Sequence, residues 1–323
     1  VSEVGQTYAD LQSRIVASGL SLLSQALRRG KSSPEAWRDA VQAIGERLLL
    51  LQVASASLAD PYLNDVLEAQ GADPEADTQI IPQTFADLAD GGGSWLQLLV
   101  YAPNSVRDQG TASESWTRFQ FVANSIVKTG IDDVGRSSVQ TAMQARPAVK
   151  WYVRMLRGKT CARCAILAGR RYKSSVAFDR HRNCDCVHIP AAEDAKSWTT
   201  DPKRLFRSLS TEEQNQVFTK AGAEAIRLGA DPSQVVNAHK GVWTPAAYGT
   251  RVQATLEGTT KRGIAGKRLG DEGFAKTTGL KSSRYAHSRT PRLMPEEIFL
   301  QADRLGWDRV EVLRQLKRFG YVL

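Results

Sequence analysis

Cys161, Cys164, Cys184 and Cys186 are the only cysteines in 323 residues, and all four fall inside one 26-residue window together with His181. The window, with its flanks, reads TCARCAILAGRRYKSSVAFDRHRNCDCVHIP from Thr160 to Pro190. Cys161 and Cys164 are separated by two residues, as are His181 and Cys184, and Cys186 follows one residue later. Donors two residues apart form a knuckle whose backbone turns both toward one ion, and structural zinc takes four N or S donors in a tetrahedron. Cys161, Cys164, His181 and Cys184 make one such set. Cys184 and Cys186, two apart on an expected strand, share a face, so the four cysteines make another, and the choice among the five donors stays open. His188 lies further along that strand and reads as a core or surface histidine. Where thiols stay reduced, such a cluster points to a metal or to catalysis more than to disulfides. The alternative is a metal-free knuckle of paired or packed thiols.

Catalytic readings of the same residues are poorly supported. A zinc deaminase needs H-x-E ahead of P-C-x-x-C; no H-x-E occurs, and Thr160 precedes the C-x-x-C. A thioredoxin-like motif would sit in a βαβ pattern, which is missing around the window. A metal-dependent nuclease would need carboxylates beside the histidines. Asp179 and Asp185 are present, but "DRHRN" has no partner segment. The expectation is a protein that is not an enzyme, with a zinc-ribbon nucleic-acid-binding protein or a metal-dependent nuclease as the alternatives.

The chain is 42% hydrophobic and 24% charged, enough for a sizeable core and for two or more domains. "RLLLLQVASASLA" is too short and too polar to span a bilayer. No basic segment followed by an apolar run opens the sequence, so synthesis in the cytoplasm and no membrane association are expected. The net charge of +9 is unevenly spread. Residues 1–150 carry 12 Lys/Arg against 17 Asp/Glu, a net −5, and residues 151–323 carry 31 against 17, a net +14. No Lys or Arg occurs between Arg47 and Arg107, where Asp60, Asp65, Glu68, Asp73, Glu75, Asp77, Asp87 and Asp90 lie. The acidic half suits a basic protein surface, and the basic half suits phosphates, which need charge but no sequence reading. The phosphate contacts expected on this ground are Lys261, Arg262, Lys267, Arg268, Lys276, Lys281, Arg284, Arg289 and Arg292.

These residues must be positioned by a mainly α chain with a small antiparallel β-sheet and zinc-knuckle module in the middle, an α+β class, followed by an extended basic segment. Apolar spacing predicts a helix over Val4–Leu27. A second is expected from Ser33 as N-cap and Pro34 as first residue to about Leu58, stopping before Asp60–Pro61. Residues 70–95 read as an acidic loop that orders only against a partner. Helices follow near 114–128 and 132–145. "AVKWYVRML" alternates as a strand does, and "GRRYKSS" and "CDCVHIP" are strand-like. Ser210 and Glu213 form a capping box for a helix that Gly229 ends, Asp231–Pro232 starts another, and 250–293 reads as extended. Glu296–Leu305 and Asp308–Phe319 form a helical hairpin. The regions are then 1–147, helical and acidic, for partner docking; 148–190, the knuckle module; 191–249, helical; 250–293, basic and extended; and 294–323, the hairpin. A metal in the knuckle would staple a sheet too short to be stable alone.

C-x-x-C, the "LAGRRY" turn and "H-x-N-C-x-C" closed by a short strand and Pro190 resemble the signature of MuF-like phage head morphogenesis (minor capsid) proteins, in the form found in phages of actinobacteria. "TKAGAEAIRLGADPSQVVNA" and "EGTTKRGIAGKRLG" extend the likeness in weaker form. The chain has "HRNC" where many relatives have Pro after the His. The resemblance implies a virion structural protein in few copies. It would be associated with the portal vertex inside the head and in some cases leave with the DNA. Its partners would be the portal, other head proteins and packaged double-stranded DNA. Some relatives carry a protease or an ADP-ribosyltransferase domain. The latter needs Glu-x-Glu, absent from this chain, and His239 and His287 sit in no protease motif.

Overall fold

The computed structural model describes residues 2–31, 33–89, 92–106, 111–156, 160–177, 184, 186–192, 201–260, 263–271 and 291–322. They fall into two compact units, Val1–Gly158 with Gly169–Thr199, and Lys159–Ala168 with Thr200–Leu323. Helices dominate and one small antiparallel sheet lies mid-chain, the expected α+β class.

The first unit is built on helices α1 (Ser2–Arg29), α2 (Pro34–Ser57), α3 (Ala59–Glu68), α4 (Trp95–Tyr101) and α5 (Ala112–Gln144). Ser33 caps α2 as its sequence indicates, its Oγ accepting from Ala36 N at 3.1 Å. Asp60–Pro61 does not end the helical path. Pro61 sits in the first turn of α3, where a missing N–H removes no hydrogen bond. The stretch expected to order only against a partner is instead held by its own chain. The Asp87 amide donates to Gln52 Oε1 at 2.8 Å, and Asp87 Oδ1 accepts from Ser94 Oγ at 3.0 Å and from Leu96 N at 2.9 Å.

Where two helices were expected near 114–128 and 132–145, α5 runs unbroken through Gly130 and Gly135. A glycine inside a helix costs about 1 kcal/mol against alanine, and here packing offsets it. A Cβ at 130 would collide with the Trp95 indole, whose Nε1 donates to Ile126 O at 3.0 Å. A Cβ at 135 would strike Gln12 and Ser55. Those two side chains bond each other at 2.7 Å, and Ser55 Oγ donates to Ile131 O at 3.1 Å. Gln52 Nε2 reaches Gly130 O at 3.2 Å and Tyr8 OH reaches Gly135 O at 3.2 Å. These buried polar groups are satisfied on the helix backbone because the two glycines leave room for them. At the far end of α5, buried Arg146 donates to Asp60 and Asn64 of α3, both at 2.8 Å.

Strands β1 (Trp151–Met155), β2 (Arg171–Lys173) and β3 (Val187–Ala191) make an antiparallel sheet of order β2-β1-β3. Tyr152 faces Tyr172 on one side and Pro190 on the other, and Arg154 faces His188.

The second unit contains α6 (Ala162–Leu167), α7 (Pro202–Ser208), α8 (Thr211–Phe218), α9 (Lys220–Arg227), α10 (Pro232–Ala238), α11 (Ile264–Asp271), α12 (Pro295–Leu305) and α13 (Arg309–Arg318). The capping box at Ser210 and Glu213 forms as read, but the helix it starts breaks at Thr219. That residue takes φ 64° and caps α9, its Oγ1 accepting from Gly222 N at 3.0 Å. Asp231 caps α10. The region expected to be extended contains α11 and two short ladders, β4 (Ala246–Ala247) with β5 (Thr250–Arg251), and β6 (Ala254–Thr255) with β7 (Arg292–Leu293). Most of its remainder, 272–290, lies outside the described residues. The terminal hairpin matches its reading, with Gly306 left-handed at φ 65° and Asp308 capping α13. Phe206, Phe218, Leu269, Ile298, Leu316 and Phe319 share its core. No described helix is long and apolar enough to cross a membrane.

Gly130→Ala should destabilise the protein by about 1–3 kcal/mol, the usual range for overpacking, and should perturb Trp95 fluorescence. An unchanged denaturation midpoint would contradict the close approach of that indole.

Candidate metal centre

Cys184 and Cys186 are buried in the first unit, and Cys164 is buried in the second. Cys161 is the N-cap of α6, and its Sγ accepts from Cys164 N at 3.4 Å. The C-x-x-C spacing is therefore a helix start whose capping thiol reaches the Cys164 amide. All four cysteines are free thiols. His181 lies outside the described residues; of the other four expected donors, Cys161 and Cys164 belong to the second unit and Cys184 and Cys186 to the first.

Two arginines that spacing alone did not single out stand at this site. Arg154, 1% exposed on β1, donates from Nη2 to Cys184 Sγ at 3.3 Å. Arg136 on α5 donates from Nη1 to Cys184 O at 2.8 Å and to Cys186 O at 3.3 Å, which fixes the backbone that presents both thiols. Its Nη2 pairs with Asp133 at 2.6 Å. Burial opposes the Arg136 charge, but Asp132, Asp133 and Cys184 outweigh it and hold its pKa above the ordinary value. A buried guanidinium calls for an anionic partner, and a thiolate is one; it is also the form that binds metal. The sequence held one signal for Arg136, a charged residue on the apolar side of a helical repeat. Arg154 sat in a strand alternation that gives no such clue. His188 is a core histidine, buried edge-on against the Tyr152 ring with centroids 4.5 Å apart, while its carbonyl accepts from Tyr62 OH at 2.6 Å.

Of the expected phosphate contacts, Lys261, Arg262, Lys276, Lys281, Arg284 and Arg289 lie outside the described residues, and Lys267 is exposed on α11. Arg268 is half-buried and donates to the carbonyls of Lys317 and Val322, at the C-terminal end of α13. Arg292 needs correcting. It is fully buried, its guanidinium 3.8 Å from the Tyr321 ring centroid and bonded to Gln234 and to the Glu257 carbonyl, and it serves the core of this unit.

A family model described as VG15 protein matches residues 5–211, well over half of the chain. The chain belongs to the VG15 protein family. That family is a phage protein family, and the match runs from α1 through the cysteine window to the start of α8. No curated protein and no solved structure matches this VG15 protein.

If the thiols hold an ion, Arg154→Leu should weaken metal binding by roughly 10–100-fold, the usual effect of losing a group that supports a ligand. Affinity should also fall as pH is lowered, because thiolates must be deprotonated to bind. A competition titration against a chromogenic chelator reads both, and equal affinities for wild type and variant would contradict the role given to Arg154.

Proposed function

We propose that this VG15 protein is a non-enzymatic structural component of the phage virion, a minor capsid protein of the MuF-like head morphogenesis type. It would sit in few copies inside the head at the portal vertex. The observation that carries this reading is the family match, which spans the acidic helical unit and the whole cysteine window. The window's C-x-x-C and C-x-C are the residues on which the MuF-like resemblance rests.

The ion we assign to the cluster is structural zinc. Thiolate-rich sites favour zinc in that role, and three of the thiols are buried with no more than 3% exposure. Cys161, Cys164, Cys184 and Cys186, or His181 in place of one of them, would hold it. Bound zinc supplies cross-linking and no chemistry. Arg154 and Arg136 keep the thiol-bearing backbone in place and favour the charged sulfurs.

The basic half contacts packaged DNA through phosphates in this reading. The net +14 of residues 151–323 supports it, with exposed Lys267 and Arg251 available among the described residues. The acidic half faces a basic surface of the portal or another head protein.

Quantitative mass spectrometry of purified virions should find the chain at a few copies against the major capsid subunit, and its absence from virions would overturn the reading. Duplex DNA binding by the full chain should weaken steeply between 50 and 200 mM salt, with a log–log slope near −4 for about four to five phosphate contacts. A flat response would remove DNA from the list of partners.

A further inference from the structure

The outer face of α5 is the floor of a long apolar groove within the first unit. A cavity of about 780 Å³ is lined from α5 by Val122, Ile126, Thr129, Asp133 and Ser137, and on its other side by Phe85, Leu88, Leu98 and Tyr101. A second, of about 420 Å³, shares Phe85 and continues along α5 past Thr141 to Ala145, with Ile80 and Ile81 opposite. From Val122 to Ala145 the helix rises about 35 Å, so the groove has the length of several helical turns.

Its rim is unusually apolar. Ile81 is 63% exposed, Leu88 54%, Leu98 50% and Tyr101 61%. Isolated exposed apolar residues need no explanation, but a contiguous set along a concavity marks an interaction surface. Small side chains, Ser125, Thr129 and Ser137, are among the residues of the floor. Helix-in-groove binding uses this geometry, an amphipathic helix laying residues i, i+3, i+4 and i+7 into the trough.

Charge chooses the occupant. Among the described residues neither cavity is lined by a Lys or Arg, and Asp133, which pairs with Arg136, lies in the floor of the larger. The wall segment 78–106 has no basic residue and carries two acids, Asp87 and Asp90. A helix with acidic flanks would meet like charge along this wall, whereas one with basic flanks meets opposite charge.

We propose that the groove along α5 receives an amphipathic helix with basic flanks from a partner protein. The partner's identity rests on the virion reading above; the groove's chemistry does not.

The test uses the full chain and a 15-residue helical peptide, with leucines at i, i+3, i+4 and i+7 spacing and lysines elsewhere, beside a counterpart with glutamates for lysines. Fluorescence anisotropy should show saturable one-to-one binding of the lysine peptide and at least about tenfold weaker binding of the glutamate peptide. Leu98→Lys and Tyr101→Ser, both at exposed positions that folding does not need, should each weaken the lysine peptide by about tenfold or more. Circular dichroism and the melting midpoint confirm that the variants fold. Equal binding of both peptides, or binding that neither variant changes, overturns the proposal. So does a concentration-dependent dimer that Leu98→Lys abolishes, since the occupant would then be a second copy. Incorporation into virions separates the two claims. Wild-type chain in virions together with undiminished incorporation of Leu98→Lys overturns the groove and leaves the structural role. Wild-type chain missing from virions, with peptide binding intact, overturns the role and leaves the groove.

Discussion

The first unit depends on one 33-residue helix that three sets of neighbours approach more closely than side chains would ordinarily allow. Gly130 admits the Trp95 indole, and Gly135 admits the Gln12–Ser55 pair. Because those contacts bond to the helix's own carbonyls, two residues that weaken helices locally become the points at which α1, α2 and α4 are registered on α5. The same helix sends Arg136 from its buried side to the Cys184 and Cys186 carbonyls. Its outer side is left as the floor of the apolar groove. One element therefore sets the core, the presentation of the thiols and the surface offered to a partner.

The electrostatics of the cysteine window follow from burial. Arg136 and Arg154 are 7% and 1% exposed, and cations placed so deeply are costly unless negative charge faces them. Asp132 and Asp133 answer Arg136, and Cys184 is bonded to Arg154. Neutral thiols would leave the Arg154 contact weak, whereas thiolates would make it a charge-assisted hydrogen bond. Metal binding and the arginines thus favour the same protonation state of Cys184.

Much of this was readable from sequence where local chemistry decides structure. Ser33–Pro34, Ser210 with Glu213, Asp231–Pro232 and Asp308 each start the helix that their capping atoms imply, and the period-two alternation at 149–155 marks β1. The misreadings share one cause, tertiary contacts that outweigh local preference. Two helices were expected near 114–128 and 132–145, and the packed indole and polar pair accompany one helix that continues through Gly130 and Gly135. Thr219 sits inside a good helical pattern, yet it turns to φ 64° and bonds Gly222 and Glu296. The acidic connector lacked periodicity and still orders, because Gln52 and Ser94 bind Asp87. At the candidate site the cysteines were visible through type and spacing. Arg154 was not, since its partner lies 30 residues away. Arg292 shows the converse, a charge that sequence assigns to a surface and the fold takes for the Glu257 carbonyl and the Tyr321 ring.

In the proposed role, a thiol-based staple would give a fixed fold to a chain whose acidic and basic halves suit different surroundings. The claim on which that picture turns is that the clustered thiols hold one ion. X-ray absorption at the zinc edge of the reduced, full-length protein tests it most directly. The account predicts about one zinc per chain with three or four sulfurs at about 2.3 Å. Protein purified without metal under reducing conditions, or metal surrounded only by light atoms, would contradict it.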